Sequence, residues 1–227
     1  MVHTIRNGRT DLSKLIVELE DILESGKIEN HIALGWSLGG HVAWQAWLWE
    51  PKIESAVIIV GCPDIPGLMR SRALKSNAEW TGSFQGSRIF PSDVSNICTY
   101  SDPKTYLFGR DALEKITLSS NDECRLWTVL NHTIRGKKLL LCSGQEDELV
   151  PYAITQPFVQ QLSCAISRQN WQGEDAVTID DRLYGGIGHE FSNDMVKDAV
   201  EWIMDVSRAG RRREQGNIST HRNGPSL

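Results

Sequence analysis

The chain predicts an α/β fold, a mostly parallel sheet flanked by helices, and three observations predict it. Short runs that are wholly apolar, Val57-Ile58-Ile59-Val60 and Leu139-Leu140-Leu141-Cys142 among them, read as parallel strands covered on both faces. Between such runs, apolar residues recur at three- and four-residue steps, as amphipathic helices require. A G-x-S-x-G sequence, Gly35-Trp36-Ser37-Leu38-Gly39, joins one apolar run to a helix of small residues.

The first helix is predicted over Asp11–Ser25. Leu12, Leu15, Ile16, Leu19, Ile22 and Leu23 form its apolar stripe, Thr10 or Asp11 caps it and Gly26 stops it. Asn7-Gly8 ahead of it reads as a turn signal. His31–Leu34 is a short buried strand. Leu38–Trp49 is the helix that follows, ended by Glu50-Pro51 because the residue before a proline avoids helical backbone. Ile53–Val60 is the next strand. From about Gly61 to Leu130 the pattern loosens, with turn formers such as Pro63, Gly82 and Pro103 set among Met69, Trp80, Phe108 and Trp127. Lys138–Cys142 resumes the sheet. Tyr152–Ser167 is a helix interrupted at Pro157, Ala176–Ile179 a last strand, and Asn193–Val206 a last helix capped by Ser192. Arg208–Leu227 is polar, lacks apolar periodicity and is predicted to be disordered. Its Arg211-Arg212-Arg213 run reads as a solvated helix end and tail.

Bulk properties bound the function. A chain of 227 residues, 40% hydrophobic and 23% charged, has the length and composition of one soluble globular domain. The net charge of -5 gives no electrostatic reason to expect a nucleic-acid partner. The apolar runs are far too short to span a bilayer, and no basic-then-apolar leader opens the chain. The five cysteines, Cys62, Cys98, Cys124, Cys142 and Cys164, are scattered and form no C-x-x-C pair. Reduced thiols and a cytoplasmic location fit that pattern better than a disulfide framework or a zinc site.

Three loops carry the chemistry. A serine on a tight strand-to-helix turn has its hydroxyl lifted clear of the backbone. Glycines flank it because a Cβ on either side would collide with the neighbouring strand or helix. Ser143-Gly144-Gln145-Glu146-Asp147-Glu148-Leu149-Val150-Pro151 follows an apolar run on the pattern G-x-x-D-x-x-V-P. Tyr184-Gly185-Gly186-Ile187-Gly188-His189-Glu190-Phe191 precedes the last helix. In these motifs, and in the chain order Ser37, Asp147, His189, the chain resembles the α/β-hydrolase fold superfamily.

The resemblance implies a serine hydrolase with no metal or redox cofactor, acting on a small-molecule ester or thioester. Ser37 would be the nucleophile, His189 the general base, Asp147 the residue that orients the histidine, and the Leu38 amide an oxyanion donor. Asp64, after the next strand, is the alternative acid, as in some lipases and thioesterase domains. His41 is expected to pack or bond locally. The resemblance makes Gly61–Leu130 a cap inserted between the family's sixth and seventh strands, within a hydrolase-like domain of residues 1–207. Its aromatic residues suggest a largely apolar acyl or aryl group.

One part of the family pattern is missing. The family has four strands before the strand that leads to the serine, and the loop after the third gives a second oxyanion amide. Here 36 residues precede Ser37, occupied by one helix and one strand. The fold is therefore expected to be partial, with His31–Leu34 as an unpaired edge prone to self-association. Losing one oxyanion donor costs on the order of 10²–10³ in kcat. Two other readings stand beside the esterase: a thioesterase or acyltransferase of natural-product assembly, and a non-catalytic hydrolase fragment.

Overall fold

A computed structural model describes residues 2–23, 28, 30–76, 96, 100–110, 113 and 119–221. The predicted helix stop at Gly26, the loosened segment over 77–95, Cys98 and residues 222–227 lie outside them. Four strands form one sheet in the order β1 (His31–Trp36), β2 (Ile53–Ile59), β3 (Lys138–Gly144), β4 (Thr178–Tyr184), and all three pairings are parallel. The helices are α1 (Val2–Ile22), α2 (Leu38–Trp49), α3 (Ile65–Lys75), α4 (Pro103–Phe108), α5 (Ser120–Thr133), α6 (Tyr152–Ser167) and α7 (Asn193–His221).

Parallel register puts partners on the same face, so the strands sort their apolar residues in two directions. Ala33, Ala56 and Leu139 line up on one face, and Ile58 pairs with Leu141 beside them. That side packs against Trp44, Trp47 and Leu48 of α2 and Phe158 and Leu162 of α6. The Trp44 ring meets Trp47 and Phe158 edge-on at 6.0 and 5.4 Å, contacts worth about 0.5–1.5 kcal/mol each beyond burial. On the other face Val57, Ile59, Leu140 and Cys142 pack against Met195 and Ala199 of α7. Lys137 closes the C-terminal end of α2, its Nζ donating to the Trp47 and Glu50 carbonyls at 2.9 and 2.8 Å. Burial pushes that ammonium down to about 8.

Three elements depart from the sequence expectation. The first helix starts at Val2, not near Asp11, and Asn7-Gly8 lies within it. A Cβ at Gly8 would fall 2.8 Å from Val42 Cγ2, so this glycine is where α1 crosses α2 and not a turn. The last strand runs over Thr178–Tyr184 instead of Ala176–Ile179. As the outer strand it tolerates charge: Arg182 pairs with Asp180 at 2.6 Å and with Asp198 of α7 at 3.0 Å. The last helix continues past Val206 to His221, into the segment predicted to be disordered. Gly210 lies against Asn30, so that segment is in contact with the sheet's beginning.

Strand β1 pairs only with β2 among the described residues. Leu34 and Trp36 share the face of Val57 and Ile59, yet they are 49% and 51% exposed.

Candidate functional site

Ser37 occupies the single residue between β1 and α2, with φ 53° and ψ −114°. Such backbone costs a non-glycine residue about 1–3 kcal/mol and needs surrounding structure to hold it. The Ser37 amide donates to the Ile59 carbonyl at 2.9 Å, tying the turn to the next strand. A Cβ at Gly35 would fall 2.8 Å from Ala43 Cβ and would overlap the Gly39 backbone. The second expected steric glycine is corrected here: a Cβ at Gly39 meets nothing within 4 Å. Gly40 is the close approach instead, since its Cβ would lie 2.8 Å from Gly61 Cα. Gly61 follows Val60, whose φ of 43° turns the chain out of β2.

The loops after β3 and β4 bring two more side chains to the serine. Ser37 Oγ lies 2.7 Å from His189 Nε2, and His189 Nδ1 lies 2.8 Å from Asp147 Oδ2. Asp147 is buried, and its other oxygen accepts from the Leu149 and Val150 amides at 2.9 and 2.8 Å. With Nδ1–H donated to that carboxylate, Nε2 is left to accept the serine hydroxyl proton. The two loops are stitched together, Glu146 N donating to the Ile187 carbonyl at 2.9 Å. The Leu38 amide, first in α2, belongs to a helix's opening amides, which have no acceptor within their own helix. A hydroxyl so arranged can lose its proton as it attacks an acyl carbon, and helix-start amides favour the charge that develops.

Asp64 is brought elsewhere. It is the N-cap of α3, accepting from Gly67 N at 2.8 Å, and no hydrogen bond joins it to His189. His41, behind the serine on α2, donates from Nδ1 to the Cys62 carbonyl at 2.7 Å. Burial, with the charges of Arg72 and His189, holds its pKa below the usual histidine value. Burial pushes the Cys62 thiol far up, so it is no nucleophile. Among the described residues no three His, Cys, Asp or Glu side chains come together as a metal-ligand set.

Beside the serine lies a cleft of about 80 Å³. Ile5, Ile65, Leu68, Met69 and Val150 line it with apolar surface, and Ser37, His41 and Arg72 are its polar groups. The sequence reading did not single out Ile5 or Arg72. A signal for Ile5 existed, because Ile5, Leu12 and Ile16 keep helical spacing on the face of α1 that also carries Gly8. Arg72 had no local signal.

Below the cleft floor, Asp102 is fully buried and accepts from Ile65 N at 2.7 Å and Thr105 N at 2.8 Å, capping α4. Burial, with the Asp64 charge adding to it, pushes this carboxyl up to about 7. The folded chain therefore binds this proton more tightly than the unfolded chain. Its stabilising contribution is full below the unfolded value of 3.8 and is lost as pH rises through about 7. Melts of the wild type and Asp102→Asn are expected to diverge across that window, the wild type losing on the order of a few kcal/mol relative to the variant. A difference that stays flat with pH would contradict this account.

No protein-family model and no curated protein sequence matches the chain. Among solved structures, TT1662 from Thermus thermophilus superposes with a TM-score of 0.51 at 14% sequence identity, over 87% of this chain and 61% of that one. Arabidopsis thaliana SOBER1 superposes with a TM-score of 0.47 at 17% identity, over 88% and 63%. A Bacillus cereus carboxylesterase does so with 0.44 at 14%, over 87% and 59%. The chain spans less than two thirds of the length of each. At such identity the likeness to the Thermus protein is one of fold.

Proposed function

The chain has a partial α/β-hydrolase fold, and on that premise we propose that it is a serine hydrolase of esters or thioesters working through an acyl-enzyme. The observation that carries the reading is the Ser37–His189–Asp147 hydrogen-bond chain, 2.7 and 2.8 Å long, at the mouth of an apolar cleft. Ser37 Oγ attacks the acyl carbon while His189 Nε2 takes its proton. The carbonyl oxygen gathers charge toward the Leu38 amide. Collapse breaks the bond to the alcohol or thiol, which leaves with the proton from His189. Water then attacks the acyl-serine by the same proton route and releases the acid. Asp147 keeps the imidazole in its Nδ1–H form and stabilises the imidazolium.

A fluorophosphonate probe tests this directly. Phosphonylation of Ser37 in folded protein is expected, and its absence would favour the non-catalytic fragment. The thioesterase or acyltransferase reading turns on the acid. Because Asp147 contacts His189 and Asp64 caps α3, Asp147→Asn is expected to lower ester turnover on the order of 10⁴-fold. Asp64→Asn should leave both turnover and stability nearly unchanged, because asparagine caps a helix about as well as aspartate. The reverse ranking would favour Asp64 as the acid.

The cap is proposed to include α3, whose Ile65, Leu68 and Met69 give the cleft its apolar wall. The cysteine pattern supports a cytoplasmic location, and no helix among the described residues is long and apolar enough to cross a membrane. Self-association through β1 is also proposed, because its outer edge has no partner among the described residues and it carries exposed Leu34 and Trp36. Sedimentation over a range of concentrations is expected to show dimers or aggregates at micromolar levels. A monomer throughout, with slow amide exchange along Ile32–Leu34, would show that this edge is covered.

A further inference from the structure

The cleft beside Ser37 holds a cation, Arg72, that no carboxylate among the described residues neutralises. Arg72, on α3, commits one side of its guanidinium: Nε and Nη2 donate to the Leu149 carbonyl at 3.3 and 2.7 Å. Its Nη1 has no hydrogen-bond or ion-pair partner among the described residues. The nearby acids are engaged elsewhere. Asp64 caps the first turn of α3, Asp102 caps α4, Asp147 holds His189, and Glu146 and Glu148 are exposed. His41 offers no negative charge either, its Nδ1–H being spent on the Cys62 carbonyl.

The surroundings give this cation weight. The walls are the apolar side chains of Ile5, Leu68 and Met69, and beside such surface a charge attraction is screened less than in open water. The chain's net charge of -5 repels anions at long range, so attraction to one must be local. The remaining Nη1 offers charged N–H donors to a carboxylate, and charge-assisted hydrogen bonds are stronger than neutral ones.

We propose that Arg72 selects substrates whose acyl group ends in a carboxylate, namely esters or thioesters of a short dicarboxylic acid. The scissile carbonyl meets Ser37, the methylene stem lies along the apolar wall and the carboxylate pairs with Arg72 Nη1. This rests on the acyl-hydrolase reading of Ser37 and narrows its substrate class.

The test separates binding from turnover. Ser37→Ala protein, which keeps the cleft and lacks the attacking oxygen, is titrated by NMR with monomethyl glutarate and with methyl pentanoate, its uncharged counterpart. Monomethyl glutarate is expected to bind roughly tenfold or more tightly, the scale of a charge-assisted hydrogen bond. That advantage should disappear on adding Arg72→Gln and survive in part with Arg72→Lys, which keeps the charge. Equal affinities, or an advantage that persists in Arg72→Gln, would overturn the proposal. So would a loss as complete in Arg72→Lys as in Arg72→Gln, because the arginine would then act only as a strut for Leu149. Turnover of p-nitrophenyl butyrate by the unsubstituted protein reads the parent hypothesis separately. Turnover without an anion preference sinks this inference alone. Anion binding at Arg72 without turnover of any ester sinks the hydrolase reading and leaves the carboxylate site.

Discussion

Ser37→Ala and His189→Ala are each expected to abolish hydrolysis of short p-nitrophenyl esters, the largest effect anticipated for any substitution in this protein. Removing Ser37 Oγ removes the atom that bonds to the acyl carbon, and removing His189 leaves that oxygen with its proton. Members of such a set act as a unit, so the double variant should be no slower than either single one. In comparable triads a single loss costs on the order of 10⁶ in kcat. Here the starting rate is expected to be modest, so the fall would end at the uncatalysed background. Steady-state rates with melting curves of each variant check the expectation. Undiminished turnover in either folded variant would remove the proposed role of that residue.

Gly144→Ala is expected to have the second-largest effect, although residue 144 carries no reacting group. Its Cβ would fall 2.5 Å from the Ile187 carbonyl oxygen and overlap that of Gly188. Both are backbone atoms of the loop that presents His189, so no side chain can swing away to make room. The loops after β3 and β4 would have to part. Their tie between Glu146 N and the Ile187 carbonyl would stretch, and His189 would move relative to both Ser37 and Asp147. Overpacking of this kind costs about 1–3 kcal/mol of stability. A displacement of roughly 1 Å at reacting atoms can cost 10²-fold in rate. Activity and fluorophosphonate labelling should therefore fall together by about that factor while the protein stays folded. Rates within a few-fold of the wild type would mean that the loops can part without moving the imidazole.

Sequence reading was strongest where structure is set locally. Val57–Val60 and Leu139–Cys142 are apolar without interruption because both faces of a central parallel strand are covered, and that leaves an unmistakable run. The loops bearing Ser37, Asp147 and His189 are short motifs with glycines at close approaches, and the fold brings those three side chains into one hydrogen-bonded chain. Strand ends were less legible. Gly35 and Gly144 lie in the last residues of β1 and β3 despite the low strand preference of glycine, kept there by the ladder to their neighbours. Strand β4 was misjudged because an outer strand can carry Asp180, Asp181 and Arg182 without burying unpaired charge.

Helix α1 shows the boundary between the two kinds of information. The amphipathic stripe from Leu12 onward required a helix, whereas its extension back through Gly8 depended on a neighbour. A glycine in isolation favours a turn, yet against Val42 it is the residue that lets two helices approach. That extension carries Ile5 to the cleft, and α3 carries Arg72 to the same place from a segment with no recognisable motif. By itself the sequence determined the fold class, the order of the strands along the chain and the three loops bearing polar side chains, because these follow from periodicity and local backbone demands. Only the tertiary structure decided what stands around the serine. An apolar wall drawn from α1 and α3, and an Arg72 guanidinium tied on one side to the Leu149 carbonyl, arise from contacts between segments far apart in the chain, whose energies no local pattern records.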